Sequence, residues 1–353
     1  MNRPLIVLLL LVLPLAIVGC GGGGIGGSPD RGFDPTAYAF KAFTPANTPS
    51  LTNGDVRAVL QYENGTIRRL YIGTANGLFS ADATQATYAF TRLEAAGFPT
   101  TAAAQAINAL LQTRAGAIWI GTDAGLFSLD PVTGTVTAVT RLTGEKVTAF
   151  AEPKAGTFWV GLASDTASTT AIARTTNGTD FEFYGKEQGM TASMVVMIHA
   201  TEDPFLVVAC GLGTPGKAGL FKFNAAQNTF SVLDAPFLNG ATLFKKQGDV
   251  YYAGGPGTGL RSQATRDAEW KVVIADITPR WLDIVPYGAG LRAWLAADDG
   301  LRLTFDLASF KLFTKANGLA STACAVVTQG AFGTFVGHGG PDGGFSRADL
   351  VGE

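Results

Sequence analysis

The sequence predicts an all-β fold in which similar repeats each supply four short β-strands. Ile118–Leu129, with the sequence I-W-I-G-T-D-A-G-L-F-S-L, consists of two apolar runs joined by a polar turn and punctuated by Gly. This pattern is typical of two strands in a tight hairpin. Leu70–Phe79 repeats the phrase 48 residues earlier. The chain is also 47% hydrophobic and only 15% charged, with 45 Gly, as expected of a β-rich protein with many turns.

The repeat extends along the chain. Each copy contains three consecutive residues: an aromatic or aliphatic residue, then an aliphatic or small residue, then a small residue. The first residues of these triplets are Tyr71, Trp119, Trp159, Val207, Tyr252, Trp294 and Phe335. The 264 residues from Tyr71 to Phe335 hold six intervals of 44 residues on average. That period is typical of a four-stranded propeller blade. A single such sheet cannot bury both faces, whereas seven stacked around an axis can, so we predict a seven-bladed β-propeller.

The strands follow in order within each repeat. The predicted strands of the first repeat are Val56–Gln61, Leu70–Gly73, Gly77–Ser80 and Tyr88–Leu93. Those of the second repeat are Ile107–Gln112, Ile118–Gly121, Gly125–Leu129 and Val136–Leu142. Later third strands are predicted to begin at Ala171, Gly219, Gly259, Gly300 and Gly344. The aromatic residues of the second strands, Tyr71, Trp119, Trp159, Tyr252 and Trp294, are predicted to pack between adjacent blades.

The two ends of the chain predict how the ring closes. The seventh repeat lacks an outer strand after Gly344–Arg347, while Phe40–Thr44 precedes the first repeat without a partner. Phe40–Thr44 matches Phe310–Thr314, the outer strand of the sixth repeat, at four of five positions. We therefore expect Phe40–Thr44 to complete the last blade, which removes exposed sheet edges that invite aggregation.

The N-terminal segment predicts export and a lipid anchor. Residues 1–19 form a signal peptide whose apolar run, Leu5–Val18, is too short to span a bilayer. The run ends in Ile17–Cys20, I-V-G-C, which resembles a bacterial lipobox and implies lipidation of Cys20. Residues 20–35 are a Gly-rich flexible tether, and residues 36–353 form the single propeller domain. Gly21 after the cysteine favours the outer membrane, by resemblance to the proteobacterial sorting rule.

The repeats resemble two-component regulator propellers, which occur in sensing ectodomains of bacterial hybrid sensor proteins. The residues that carry the resemblance are Ile118–Asp130, Leu70–Phe79, Gly189–Thr191 and Asn317–Leu319. It covers most of residues 36–350 and is weakest in the fourth and fifth repeats. The resemblance implies a seven-bladed propeller with a sensing or binding role in the cell envelope.

Catalytic motifs are missing from the sequence. It contains no H-E-x-x-H, C-x-x-C, G-x-S-x-G or P-loop pattern, so we predict no metal, no cofactor and no catalytic residues. The only two histidines, His199 and His338, are expected on opposite faces of the propeller and cannot form one site. The formal net charge of −2 and the lack of a basic block argue against nucleic-acid binding. Cys210 and Cys324 are expected to be buried free thiols, although a disulfide between them is possible.

Binding residues are predicted on the face that carries the turns between second and third strands and the links between blades. Loop length varies most there, and loops on a rigid scaffold usually carry binding. The candidate binding residues on this face are Asn76, Asp123, Asp165, Lys217, Asp298, Asp299 and His338.

Two functions are compatible with this pattern. The first is a membrane-anchored, non-enzymatic module that binds a small ligand or an envelope protein partner, as a sensor, a scaffold or an assembly factor. The alternative is an enzyme acting on a polysaccharide or peptide with carboxylates such as Asp123, Asp298 and Asp299 at the channel mouth. Glycoside hydrolysis would require two acids about 5–10 Å apart.

Overall fold

The computed structural model describes residues 37–350, apart from 86, 96, 164–170, 193, 203–204, 212–218, 234–239 and 266–267. The predictions for residues 1–36, including the lipidated Cys20 and the tether, lie outside the described residues. The candidate binding residues Asp165 and Lys217 lie outside them as well.

The strands form seven antiparallel four-stranded sheets, which confirms the predicted seven-bladed propeller. In blades 1 to 6 the strands run in chain order from the inner to the outer position. Blade 1 consists of β2 (Val56–Asn64), β3 (Ile67–Thr74), β4 (Gly77–Asp82) and β5 (Thr91–Arg92). Blade 2 consists of β6 (Ile107–Gln112), β7 (Ile118–Thr122), β8 (Gly125–Leu129) and β9 (Val136–Ala138). Blade 3 consists of β10 (Lys146–Lys154), β11 (Thr157–Ala163), β12 (Ile172–Thr175) and β13 (Glu182–Tyr184). Blade 4 consists of β14 (Val195–Glu202), β15 (Phe205–Cys210), β16 (Gly219–Asn224) and β17 (Thr229–Val232). Blade 5 consists of β18 (Leu243–Gln247), β19 (Val250–Gly255), β20 (Gly259–Gln263) and β21 (Lys271–Ile274). Blade 6 consists of β22 (Pro279–Tyr287), β23 (Gly290–Ala297), β24 (Gly300–Thr304) and β25 (Lys311–Phe313).

Blade 7 closes the ring as predicted. It consists of β26 (Cys324–Gly330), β27 (Gly333–His338), β28 (Gly344–Leu350) and the N-terminal strand β1 (Tyr38–Phe43). β1 is antiparallel to β28, with pairing from Tyr38 opposite Leu350 to Phe43 opposite Phe345. Tyr38 and Phe40 pack on one face of β1 against blade 6, whereas Phe43 lies on the opposite face and packs against blade 1. The first and last strands of the described residues therefore share one sheet.

Short helical segments lie in the links between blades. They are α1 (Ala102–Gln105) and the 3₁₀ turns Thr140–Leu142, Lys186–Gln188 and Lys315–Asn317. Within the described ranges, no helix has the length and apolar character needed to cross a membrane.

The repeated G-T-x-x-G phrase folds as a self-contained turn. The Thr122 hydroxyl is fully buried, donates to the carbonyl of Gly125 (2.9 Å) and accepts from the N–H of Ala124 (3.0 Å). Thr74 makes the equivalent bonds in blade 1. Gly125 has φ of +140°, and a Cβ there would come within 2.8 Å of the Leu142 carbonyl oxygen. Glycine is required at this position by both conformation and space.

The aromatic residues of the second strands pack between blades, as predicted. Trp119 of blade 2 stacks on Phe158 of blade 3 with ring centroids 4.2 Å apart. Trp159 of blade 3 contacts Phe223 of blade 4 edge-on at 4.8 Å. Trp294 of blade 6 contacts Tyr38 of the closing strand at 5.3 Å. These rings are buried in the blade interfaces and are not available for ligand stacking.

The outer strand of blade 1 is shorter than the sequence predicts. Only Thr91 and Arg92 pair with β4, whereas the prediction was Tyr88–Leu93. Tyr88 and Phe90 are buried, and their rings lie 6.3 and 5.4 Å from that of Phe345 in blade 7. The apolar pattern correctly indicated burial here, but the rings fill the interface between blades instead of extending the sheet.

Both cysteines of the described residues are free and buried, which confirms the expectation for Cys210 and Cys324. Burial raises the pKa of both thiols, that of Cys324 to about 12. Both are therefore neutral and unreactive at physiological pH.

The turn after β24 leads to a stability prediction. The Asp306 carboxylate accepts from the N–H groups of Ala308 (2.9 Å) and Ser309 (2.8 Å), and these bonds lower its pKa to about 2. Because the folded pKa lies below the ordinary value of about 3.9, this carboxylate stabilises the fold above pH 4 and ceases to do so as the pH falls towards 2. We expect Asp306→Ala to lower the free energy of unfolding at pH 7 by about 1 kcal/mol, and by less at pH 2.5. Urea unfolding at the two pH values measures this, and equal losses would contradict it. Asp306→Asn keeps one acceptor oxygen and is the matched control.

Candidate functional site

The turns between second and third strands lie beside the links that lead into the inner strands, on what we call the loop face. Gly54, in the link to blade 1, donates to the Pro341 carbonyl in the corresponding turn of blade 7 (2.9 Å). Gly144, in the link to blade 3, donates to the Ala124 carbonyl in blade 2 (2.8 Å). These contacts tie the two loop types together around one end of the channel.

A β-bulge marks the start of nearly every inner strand on this face. Six of the seven inner strands show the same register shift against their second strand. In blade 5 the pairing is regular, and Thr242 precedes the first pair. A bulge inserts one unpaired residue and re-aims its side chain. The residues at this position, which we call the bulge ring, are Arg57, Asn108, Thr148, Val196, Thr242, Arg280 and Ala325.

The bulge ring surrounds the mouth of a central channel with a volume of about 860 Å³. All seven of its residues line this cavity. Deeper in the channel the wall is mainly apolar, with Val59, Leu110, Phe150 and Ile198 from four successive inner strands. The volume lies within the range of about 300–1,000 Å³ that is typical of small-molecule sites.

Arg57 connects blades 7, 1 and 2. Its guanidinium lies 3.1 Å from Asp55 Oδ2, and its Nη1 donates to Asn108 Oδ1 at 3.1 Å. The other oxygen of Asp55 accepts from the N–H of Gly340, in the turn of blade 7 (3.0 Å). The side chain is thereby held at the rim of the channel.

Asp123, a predicted binding residue, continues this network into blade 3. Its Oδ1 accepts from Asn108 Nδ2 at 2.8 Å and lies 3.3 Å from Lys146 Nζ. Asn108 also donates to the Val147 carbonyl at 3.1 Å. A continuous polar chain thus crosses four blades on the loop face.

The two acids of blade 6 are each paired with an arginine. Asp298 accepts from Arg280 Nε (2.7 Å) and Nη2 (3.0 Å), and both side chains remain about half exposed. Asp299 accepts from both Nη1 and Nη2 of the largely buried Arg302 (2.7 and 2.6 Å). The hydrogen bonds from Arg302 lower the pKa of Asp299. A general acid for glycoside hydrolysis needs a raised pKa, so Asp299 has the opposite environment.

His338, also a predicted binding residue, lies inside blade 7 and is fully buried. Its Nε2 is hydrogen-bonded to Ser346 Oγ (2.8 Å), and its Nδ1 lies 3.7 Å from Cys324 Sγ. Burial lowers its pKa to about 4, so the imidazole is neutral at pH 7. The side chain ends the second strand and turns inward, which the loop position in the sequence did not indicate.

Asn76 occupies the rim of blade 1, where its Oδ1 accepts weakly from Arg92 Nη2 (3.4 Å).

Near the far end of the inner strand of blade 4, His199 Nε2 accepts from the N–H of Lys246 at 3.0 Å. Burial, with the nearby charges of Lys245 and Lys246, lowers the pKa of His199 to about 3. The described residues contain no group of three or more His, Cys, Asp or Glu side chains arranged to hold a metal ion.

The sequence prediction missed the bulge ring. Arg57 and Asn108 fall within predicted strands, and neither they nor Arg280 are among the predicted site residues. A signal was present, because five of the seven repeats carry a polar residue at this one position among apolar neighbours. Strict alternation would place that residue on one face of the sheet, whereas the bulge directs it to the channel mouth.

The fold and this mouth define a class: a seven-bladed propeller with a polar ring at one end of a mainly apolar channel. No protein-family model and no curated protein sequence matches the chain. Similar solved structures share its fold at low sequence identity.

The extracellular domain of a Bacteroides thetaiotaomicron protein described as a hybrid two component system is 16% identical, with a TM-score of 0.69 over 89% of this chain and 42% of that one. Virginiamycin B lyase from Staphylococcus aureus is 11% identical, with a TM-score of 0.63 over 89% of this chain and 100% of that one. PorZ of Porphyromonas gingivalis, described as a surface component of the type-IX secretion system, is 15% identical. The TM-score is 0.60 over 83% of this chain and 46% of that one. The chain thus spans less than half the length of the first and third of these structures.

Proposed function

We propose that this chain is an exported, non-enzymatic propeller that binds a ligand or protein partner at its loop face. The observation that carries the proposal is the bulge ring, which converges polar side chains from several blades on one channel mouth. The similarity to an extracellular domain of a hybrid two component system and to a bacterial surface component supports a role as a sensor or scaffold in the cell envelope.

The carboxylate enzyme is the less favoured alternative. Asp123, Asp298 and Asp299 each form an ion pair with a separate cation, namely Lys146, Arg280 and Arg302. The hydrogen bonds from Arg302 lower the pKa of Asp299, whereas the proposed hydrolysis needs one acid that carries a proton at neutral pH. The pairs suit a rigid, pre-organised binding surface better.

The test compares two double variants with matched chemistry at opposite ends of the channel. Arg57→Ala/Arg280→Ala alters the loop face, while Arg68→Ala/Arg114→Ala removes two exposed arginines near the turns at the other end. Each protein is purified from its own cell envelope, and the small molecules and proteins retained are quantified by mass spectrometry. We expect the loop-face variant to retain at least tenfold less of the bound species, and the control to match the unaltered chain. If both variants retain the same amount of the bound species, the proposal is contradicted. Turnover of a retained species would favour the alternative carboxylate enzyme.

The proposed anchor is a lipid on Cys20, which holds the propeller at the membrane through the Gly-rich tether. Several acyl chains on one residue give stable anchoring where one chain is marginal. We expect Cys20→Ser to abolish incorporation of a labelled fatty acid and to move the protein from the membrane to the soluble fraction. Cys324→Ser is the control, since that thiol is buried in blade 7. Labelling that persists without Cys20 would contradict the anchor. Density fractionation of the two membranes tests the outer-membrane assignment, which a signal in the inner-membrane fraction would contradict.

A further inference from the structure

The bulge ring is divided into a charged half and an uncharged half. Arg280 in blade 6 and Arg57 in blade 1 flank blade 7, where the ring residue is the small Ala325. The residues of blades 3, 4 and 5 are Thr148, Val196 and Thr242. A ligand across this mouth would meet charged groups on one side and uncharged groups on the other.

The charged half is balanced in sign. The charged side chains that line the cavity are two arginines, Arg57 and Arg280, and two acids, Asp283 and Asp298. Arg57 lies against Asp55, and Arg280 lies against Asp298. A mouth with equal numbers of cations and anions gives little net attraction to a simple ion. It matches a ligand that itself carries both a positive and a negative group.

Both members of the Arg280–Asp298 pair can still bind a ligand. Arg280 uses Nε and Nη2 for Asp298, and a guanidinium has five N–H donors in all. The Asp298 side chain is 46% exposed, and a carboxylate has about four acceptor positions. An ammonium group can approach Asp298 while a carboxylate contacts the remaining N–H groups of Arg280.

The uncharged half and the channel below it supply an apolar surface. Met194 and Val196 of blade 4 line the cavity beside Phe150 of blade 3. Methionine adapts its shape to different apolar groups. The Thr242 hydroxyl, also in this wall, is buried without a hydrogen-bond partner in the described part of the chain. A buried polar atom without a partner requires a physical explanation, and a bound ligand would provide one.

We propose that the channel mouth binds a zwitterion with apolar side chains, namely a short apolar peptide with free termini. The carboxylate of the peptide contacts Arg57 and Arg280, its ammonium group contacts Asp298, and its side chains enter the channel on the side of Met194 and Thr242. This proposal rests on the proposed function, since it names the ligand class of the same site.

The test uses isothermal titration calorimetry on the full chain with L-leucyl-L-phenylalanine as the probe. We expect saturable binding at one site per chain, and at least tenfold weaker binding of the peptide blocked by N-acetylation and C-terminal amidation. Arg57→Ala and Arg280→Ala should each weaken binding at least tenfold. Arg68→Ala, which also removes an acid-paired arginine of blade 1, should leave the affinity within twofold. Equal binding of the free and blocked peptides would overturn the proposal, as would no binding of either.

Asp298→Asn separates recognition of the two charges. We expect it to weaken binding of the free peptide but to strengthen binding of the N-acetylated peptide, because the change leaves Arg280 without its paired anion. The same effect on both peptides would overturn the assignment of the ammonium group. Thr242→Val keeps the side-chain shape and should weaken binding several-fold without destabilising the fold, whereas unchanged affinity would remove Thr242 from the site. If the free peptide fails to bind while the loop-face variant still loses its envelope species, the ligand class is wrong and the binding face stands.

Discussion

Replacement of Phe40 with Ala is expected to lower the free energy of unfolding by about 3–5 kcal/mol, the range typical of a buried phenylalanine. Phe40 lies on the closing strand and is 9% exposed. Its ring contacts Phe313 at 5.1 Å and Trp294 at 6.1 Å, both in blade 6. The substitution therefore leaves a cavity at the interface where the ring of blades closes. Urea unfolding followed by tryptophan fluorescence measures the loss.

Ala39→Ser is the matched control for Phe40→Ala, because Ala39 is exposed on the same strand. We expect this control to change stability by less than about 0.5 kcal/mol. A loss for Phe40→Ala no larger than that for Ala39→Ser would show that the closing strand contributes little. Removal of residues 37–44 is a more severe test, because it exposes the edge of β28. We expect aggregation of this truncated protein, relieved when a peptide of residues 38–44 is added. Soluble, monomeric truncated protein with unchanged stability would contradict the role of the closing strand.

Trp159→Ala is expected to have an effect of similar size at a separate interface. Trp159 of blade 3 is 4% exposed and contacts Phe223 at 4.8 Å and Phe230 at 6.0 Å, both in blade 4. The guanidinium carbon of Arg174 lies 5.6 Å from its ring centroid and adds a cation–π contact. We expect a loss of about 3–5 kcal/mol in the free energy of unfolding.

Val232→Ala controls for Trp159→Ala. Val232 lies on the outer strand of blade 4 and is 53% exposed, so its truncation should cost less than about 0.5 kcal/mol. Trp159 and Phe40 belong to different buried clusters, so the double variant should show losses that add to within about 0.5 kcal/mol. A small effect of Trp159→Ala alone would contradict its assignment as a packing residue. Strong coupling to Phe40→Ala would instead show that the blade interfaces respond as one unit.

The repeat period predicted most of the architecture. Seven copies of one phrase gave the number of blades, and the match between Phe40–Thr44 and Phe310–Thr314 gave the closing strand. Strand alternation and glycine turns are local properties, so they can be recognised without knowing which segments meet. Prediction was poorer where side chains of different blades decide the outcome. Tyr88 and Phe90, for example, fill the interface with blade 7 and leave only two residues in the outer strand of blade 1.

The locations of the candidate binding residues were predicted in part, and their binding role stays a prediction. Asp123 and Asp298 do lie on the loop face. Asp123 forms an ion pair with Lys146, and Asp298 forms one with Arg280. His338 was assigned to the same face from its loop position, but its side chain is buried against Ser346. Which way a side chain points at the end of a strand depends on the local register, and a one-residue difference reverses it.

The sequence alone determined the class of fold, the number of blades, the closure of the ring and the packing role of Trp119, Trp159 and Trp294, because each follows from a repeated local pattern. Only the tertiary structure decided the geometry of the candidate site. Arg57, Asn108 and Arg280 lie more than 50 residues apart along the chain in different blades, and the bulges aim each of them at one channel mouth. Their partners come from neighbouring blades, links and turns, and ring closure is what brings the first and last blades together. Convergence of this kind depends on distances in space, which no single repeat encodes.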